Sequence, residues 1–305
     1  SCSLVGSEMC IRDSLHEALL QPSLFLGILQ RTAHKEGNIC SQILRAYQVP
    51  FLFQTYPQTS LKACTQTLSS YDIFLVSPIK LDTSDICKEY PLLKVKKFKN
   101  DYFNNIRGYN KLMLSEDFYS QFTDYSYILI YQLDAFVFKD ELQTWVNKGY
   151  DYIGAPWIHS SQYTNHKGGT IKCKLKRFWY RITKNKKRLH RYYWGYVGNG
   201  GFSLRKVSKM LQITELYKDK IAEQLNDDKP FYGEDMWLQF ELKYKHRLKK
   251  PTFKEAIRFS IETAPARAYQ WNNNTLPFGC HAFNLNQYKD FWEPFINKST
   301  NKMFF

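Results

Sequence analysis

From Thr59 onward the chain alternates helical patterns with short apolar runs, and this alternation restricts it to a sheet covered by helices. TSLKACTQTLSSY (59–71) puts Leu61, Cys64 and Leu68 on one side of a helix, and YDIFLVSP (71–78) is an apolar run stopped by proline, as a buried strand would be. NKLMLSEDFYSQF (110–122) repeats the helical spacing, and YILIY (127–131) is rich in strand formers. KDELQTWVNKGY (139–150) predicts another helix, with Asp140 and Glu141 in its first turn and Gly149 past its end. DYIGAPW (151–157) reads as a strand ended by Gly-Ala-Pro. The expected class is α/β: a single domain with a mostly parallel sheet flanked by helices, and ligands held at the carboxyl ends of its strands.

One residue breaks this pattern. Asp134 lies within the apolar run YSYILIYQLDAFVFKDEL (125–142), and the nearest cation in sequence, Lys139, is five residues on. An ionised carboxylate is costly to bury unless it is paired, hydrogen-bonded or bound to a metal. Asp134 therefore requires a partner from elsewhere in the chain.

Four downstream segments are candidates to supply it. GYVGNGGFSLR (195–205) gathers four glycines around Asn199, and glycine lets backbone approach a ligand closely, although most such stretches are turns or bulges. FYGEDMWLQFEL (231–242) starts a helix with Glu234 and Asp235, where simple capping is an equal explanation. FSIETAPAR (259–267) supplies Glu262 and Arg267, which read first as surface charges. PFGCHAF (277–283) holds His281 in a tight apolar setting, more often the mark of a satisfied core histidine than of a ligand.

The chain has 305 residues, of which 44% are hydrophobic and 17% aromatic, enough for a sizeable core and against disorder. Its net charge of +15 favours anionic partners without choosing among them. Seven cysteines are scattered without a CxxC pair, which fits neither a disulfide framework nor a zinc site and suits a reducing cytoplasm. No apolar run approaches the length of a membrane span. SLVGSEMCIRDS (3–14) resembles a translated sequencing-adaptor string, so residues 1–14 are set aside as an artefact and 15–58 are an uncertain N-terminal segment. The domain is expected over 59–297, followed by a tail at 298–305.

The ordered series YQLDAFVF, GYDYIGAPW, GNGGFSLR, GEDMW and PFGCHAF resembles a bacterial family catalogued as a domain of unknown function and regarded as glycosyltransferase-like. More distantly it is similar to the β-1,4-galactosyltransferases and other transferases of the GT-A fold. The resemblance implies a GT-A-like domain that moves a sugar from a nucleotide-diphosphate donor to a glycan or lipid-linked acceptor, with inversion and with a divalent metal. It also implies Asp235 as the base that deprotonates the acceptor hydroxyl, Glu234 as the group that holds the acceptor, and Asn199, Gly200 and Gly201 as the donor sugar site. A departing diphosphate needs a divalent metal or cationic side chains. Asp134 and His281 then make sense as metal ligands, the imidazole favouring Mn²⁺ over Mg²⁺. Gln132 stands in the donor site where these transferases usually carry Asp, and it offers only a neutral carbonyl. That substitution sustains a second reading, a non-catalytic glycan-binding or scaffold protein with a degenerate site.

The basic run KCKLKRFWYRITKNKKRLHRYYW (172–194) interrupts the domain. Its interleaved cations and aromatics suit a solvated insertion or peripheral contact with anionic lipid at the inner face of a membrane. With positive charge concentrated in one insertion and no nucleic-acid motif, nucleic acid is not an expected partner.

Overall fold

The computed structural model describes residues 25–31, 38–39, 42–43, 55–158, 171–183, 193–226 and 233–302. The adaptor-like string and most of the uncertain N-terminal segment lie outside these residues. Strands β1 (Phe25–Arg31), β2 (Asn38–Ile39), β3 (Gln42–Ile43), β4 (Asp72–Pro78), β5 (Leu93–Phe98), β6 (Tyr125–Gln132), β7 (Phe136–Val137), β8 (Tyr152–Gly154), β9 (Phe202–Lys206), β10 (Ser260–Ile261) and β11 (Gly279–Cys280) form two sheets. The larger has the order β5-β4-β3-β1-β6-β9-β8, with β2 on β1, and the smaller the order β10-β11-β7.

The sheet is mixed rather than mostly parallel. Among the described residues parallel pairing occurs at β3–β4, β4–β5 and β10–β11, whereas β1 runs against β2, β3, β4 and β6, and β9 against β6 and β8. The expectation of a mostly parallel sheet came from alternating helices and strands. It fails because β6 runs antiparallel to both β1 and β9, and β9 lies antiparallel between β8 and β6.

β6 is buried along nearly its whole length, as the central strand of a two-faced sheet should be. Alternation along it divides two cores. Tyr127, Leu129 and Tyr131 join Ile73 and Leu75 of β4 on one face, while Ile128 and Ile130 join Phe74 and Val76 on the other. The Thr55–Thr67 helix covers the first face with Leu61 and Cys64, and Leu68 just beyond it packs there too.

Residues 110–122 form two helices, Ile106–Met113 and Glu116–Ser120, instead of the single one the spacing predicts. Asn105 caps the first, accepting from Gly108 N–H at 2.8 Å. Ser115 caps the second, accepting from Phe118 N–H at 3.1 Å, and this local bond ends the earlier helix. Asp140 and Glu141 precede the Leu142–Asn147 helix, and Gly149 beyond it adopts φ of +64°, as a helix-stop glycine should. The final helix, Lys289–Lys302, extends past the expected boundary at 297.

Candidate functional site

The small sheet gathers the site. Because β7 runs antiparallel to β11 and β10 runs parallel to it, the start of β7 and the ends of β10 and β11 lie at one edge. Asp134 precedes β7, Glu262 follows β10 and His281 follows β11, so three ionisable residues far apart in sequence meet there. Backbone bonds hold the edge: Phe283 N–H donates to the Asp134 carbonyl at 3.1 Å and His281 N–H to the Ile261 carbonyl at 3.0 Å.

His281 is the hub, with only 8% of the residue exposed. Nε2 lies 2.8 Å from Gln132 Oε1 and 3.1 Å from Asp134 Oδ1, while Nδ1 lies 3.0 Å from Glu262 Oε1. Burial disfavours the imidazolium, but the charge and hydrogen bond of Asp134 and then those of Glu262 overcome it, raising its pKa to about 10. Both ring nitrogens then donate, and Asn199 Nδ2 completes the link by donating to Glu262 Oε1 at 2.6 Å. The Asp134 side chain is 33% exposed and not buried as its apolar run suggests, and its partner in this structure is the ring of His281.

The glycine series packs against this hub. Side chains at Gly198, Gly200 and Gly201 would collide with Trp157, the Glu234 carboxylate and the His281 ring respectively. Gly201 also accepts from Gln132 N–H at 2.8 Å, tying the loop to the end of β6.

Beneath the loop, β9 turns Phe202 and Leu204 to one core and Ser203 and Arg205 to the opposite face. Arg205 is fully buried and pairs with Glu234 Oε1 at 2.6 Å, with its other donors on Tyr119 Oη at 3.1 Å and the Gly200 carbonyl at 3.3 Å. Tyr109 Oη also approaches Glu234 Oε1, at 3.4 Å, and Asn110 Oδ1 accepts from Glu234 N–H. The carboxylate expected to hold an acceptor is thus held by Arg205.

Its neighbour Asp235 opens the Glu234–Phe240 helix and remains partly exposed, with Oδ1 accepting from Met236 N–H at 2.6 Å. Burial of the carboxyl, then the Glu234 charge, raise the Asp235 pKa well above the carboxylate range. The helix N-terminus favours the charged form, as expected, but burial and the Glu234 charge oppose it more strongly. Glu262 adds to the rise and also bears on Tyr193, whose pKa burial and that carboxylate push up to about 12.

A family model described as a protein of unknown function (DUF5672) matches residues 92–281. The chain belongs to that family. Every expected site residue, from Gln132 to His281, falls within the DUF5672 match, as do Arg205 and Glu262. No curated protein and no solved structure matches the chain.

Within this DUF5672 domain the structure brings Gln132, Asp134, Asn199, Gly201 and His281 into one cluster, and Gly200, Glu234 and Asp235 into a second beside it. Sequence reasoning undervalued Glu262 as a surface charge and passed over Arg205, Tyr109 and Asn110. Arg267 sits half-buried on the Pro265–Trp271 helix.

The donor set fits a divalent cation in part. Gln132 Oε1 and Asp134 Oδ1 both approach Nε2, at 2.8 and 3.1 Å, so these three donor atoms lie close enough together that one cation could be shared among them. Glu262 on Nδ1 supplies the orienting hydrogen bond that metal-bound histidines require. It faces the other side of the ring, and among the described residues no three His, Cys, Asp or Glu side chains converge as ligands, so a third protein donor would have to be the Gln132 side-chain carbonyl.

Phe283, beside Asp134, also lines a cavity of about 560 Å³ between the Thr55–Thr67 and Lys289–Lys302 helices, with Tyr56, Thr59, Lys62, Tyr90 and Asn297. None of the hub residues lines it, so it is a neighbouring space and not the site itself.

The hub makes stability depend on pH. A histidine whose pKa rises from 6.5 to about 10 on folding contributes fully below 6.5 and loses that contribution as pH climbs to 10. In chelator-treated protein, stability is expected to fall across this window by at most about 1.4 kcal/mol per pH unit. The fall should vanish in His281→Asn. Urea midpoints measured from pH 6 to 10 on both proteins check it; parallel curves would show that His281 does not hold its proton.

Proposed function

We propose that this protein transfers a sugar from a nucleotide-diphosphate donor to a hydroxyl of a glycan or lipid-linked acceptor, as a GT-A-like, inverting enzyme. The observation that carries the reading is the convergence of His281 Nε2, Asp134 and Gln132 at the end of the central strand, with Glu262 locking the ring from behind. Asp134, His281 and Gln132 would hold a divalent cation, Mn²⁺ before Mg²⁺ because an imidazole is among the ligands. Bound there, such a cation would neutralise charge developing on a departing diphosphate.

The chain's own groups have distinct tasks. Asp235 accepts the proton of the acceptor hydroxyl, its basicity increased by burial and by the Glu234 charge. Glu234 serves as a positioning residue: locked to Arg205, it fixes both the helix that carries Asp235 and the backbone at Gly200. Asn199, Gly200 and Gly201 would shape the donor sugar site, Gly200 and Gly201 by letting Glu234 and His281 pack against the loop backbone.

Incubating the protein with a panel of nucleotide sugars and Mn²⁺, and following nucleoside diphosphate release, tests the reading. One donor is expected to turn over, and Asp134→Ala should abolish its metal-dependent turnover while leaving the melting temperature within a few degrees. Undiminished turnover in Asp134→Ala would remove that ligand. A panel with no turnover, combined with glycan binding unaffected by chelator, would favour the non-catalytic glycan-binding alternative suggested by Gln132.

A further inference from the structure

The Ile171–Ile182 helix lies in the excursion between β8 and β9, and the transfer reading makes no use of it. Leu175, Phe178, Trp179 and Ile182 on this helix are between 59% and 64% exposed, an unusual concentration of large apolar surface. Their spacing of three and four residues sets them in a single stripe. At about 100° per residue, Lys172 and Lys176 occupy helix positions on one side of the stripe and Lys174 and Arg181 positions on the other. Arg177 falls roughly opposite the stripe, and the helix contains no acidic residue.

We propose that this helix is an interfacial anchor that seats the protein on an anionic lipid surface. The apolar stripe would enter the acyl boundary, with the flanking cations in contact with anionic headgroups, the arrangement that distinguishes a helix lying in the interface from one that spans it. Among the described residues no helix is long and apolar enough to cross a membrane. Charge selects this occupant over the others. A second copy packed helix against helix would bring its own flanking cations, and no acids, against these. A nucleic acid could stack on Phe178 and Trp179, but it has no use for Leu175 and Ile182.

The excursion leaves and rejoins the domain at one place. Trp157 N–H donates to the Tyr196 carbonyl at 3.0 Å, and Gly195 N–H to the Trp157 carbonyl at 2.7 Å. Tyr193 on the returning chain packs edge-on against Trp157.

The inference stands independently of sugar transfer, and its test uses neither donor nor acceptor. The full chain is sedimented with vesicles of phosphatidylcholine alone and of phosphatidylcholine mixed with phosphatidylglycerol, at low and at high salt. Binding is expected to the anionic vesicles only and to fall with salt. Phe178→Ser combined with Trp179→Ser should weaken it at least tenfold, and each of Lys172→Gln, Lys174→Gln and Arg181→Gln by roughly fivefold. Melting temperatures should stay unchanged, because the stripe is exposed; the lipid and salt comparison on the parent protein needs no variant. Absent binding, equal binding to neutral vesicles, or variants that bind like the parent would each overturn the proposal. So would dimers that depend on the stripe without vesicle binding, or RNA retention that depends on the cations but not on Phe178 and Trp179.

Discussion

Arg205→Met is expected to destabilise the protein by about 3–5 kcal/mol, because it leaves the Glu234 carboxylate buried without its counter-charge. At roughly 2–4 °C per kcal/mol for a chain of this size, the melting temperature should fall by roughly 6–20 °C. More than one bond is lost. Tyr119 Oη, Ser203 Oγ and the Gly200 carbonyl all take donors from the same guanidinium, and each would be left buried with one partner fewer. Adding Glu234→Leu to Arg205→Met should restore much of the loss, since replacing both members of a buried pair with apolar groups is far less costly than removing one. Lys88→Met, which breaks an exposed pair with Asp85, is the control and should leave the melt unchanged. Thermal and urea melts of the four proteins decide the matter. An Arg205→Met melt equal to that of the parent would show that the pair is not closed in solution.

How much of this could be read from the sequence depends on the distance over which each signal acts. Local signals served well: the run at 127–131, the helix bearing Leu61 and Cys64, and the stop at Gly149 all depend on residues within a turn or two. Ser115 was a local signal that the helical spacing obscured, because the side-chain bond that ends one helix and starts the next leaves the apolar period intact. Strand direction was not legible, since a strand shows the same alternation whichever way it runs, and β9 accordingly entered antiparallel.

Chemistry at the site divides the same way. Asp134 was conspicuous because its immediate surroundings are apolar, and that anomaly led to the hub. Glu262 and Arg205 lack such a flag. Glu262 sits in a short stretch of mixed polarity between Ile261 and Thr263 and matters because β10 ends beside β11. Arg205 follows the strand's alternation, with Ser203 and Arg205 opposite Phe202 and Leu204, a pattern that reads as a solvent face until Glu234 and Tyr119 are seen across it.

Asp235→Asn is expected to reduce sugar transfer by roughly 10²- to 10⁴-fold while leaving the fold at least as stable as the parent at neutral pH. The two halves of this expectation have one cause. Burial and the Glu234 charge raise the pKa of Asp235 in the folded state above its unfolded value, so the native state is favoured when this group is protonated. That advantage is complete below the unfolded pKa and declines as pH rises through the folded one; asparagine, which does not titrate, escapes the decline. The stability of the variant relative to the parent should therefore grow from acid to neutral pH, with the amide oxygen still able to accept from Met236 N–H. In the parent, kcat/KM should fall on the acid side with a midpoint well above the usual aspartate value of about 4. A pure cap behaves differently: Asn caps nearly as well as Asp, so activity per folded molecule would be unchanged. Melts from pH 4 to 8 and transfer rates on the same two proteins separate the cases. Full activity in Asp235→Asn would leave the proposed transfer without its base and return Asp235 to the role of a helix cap.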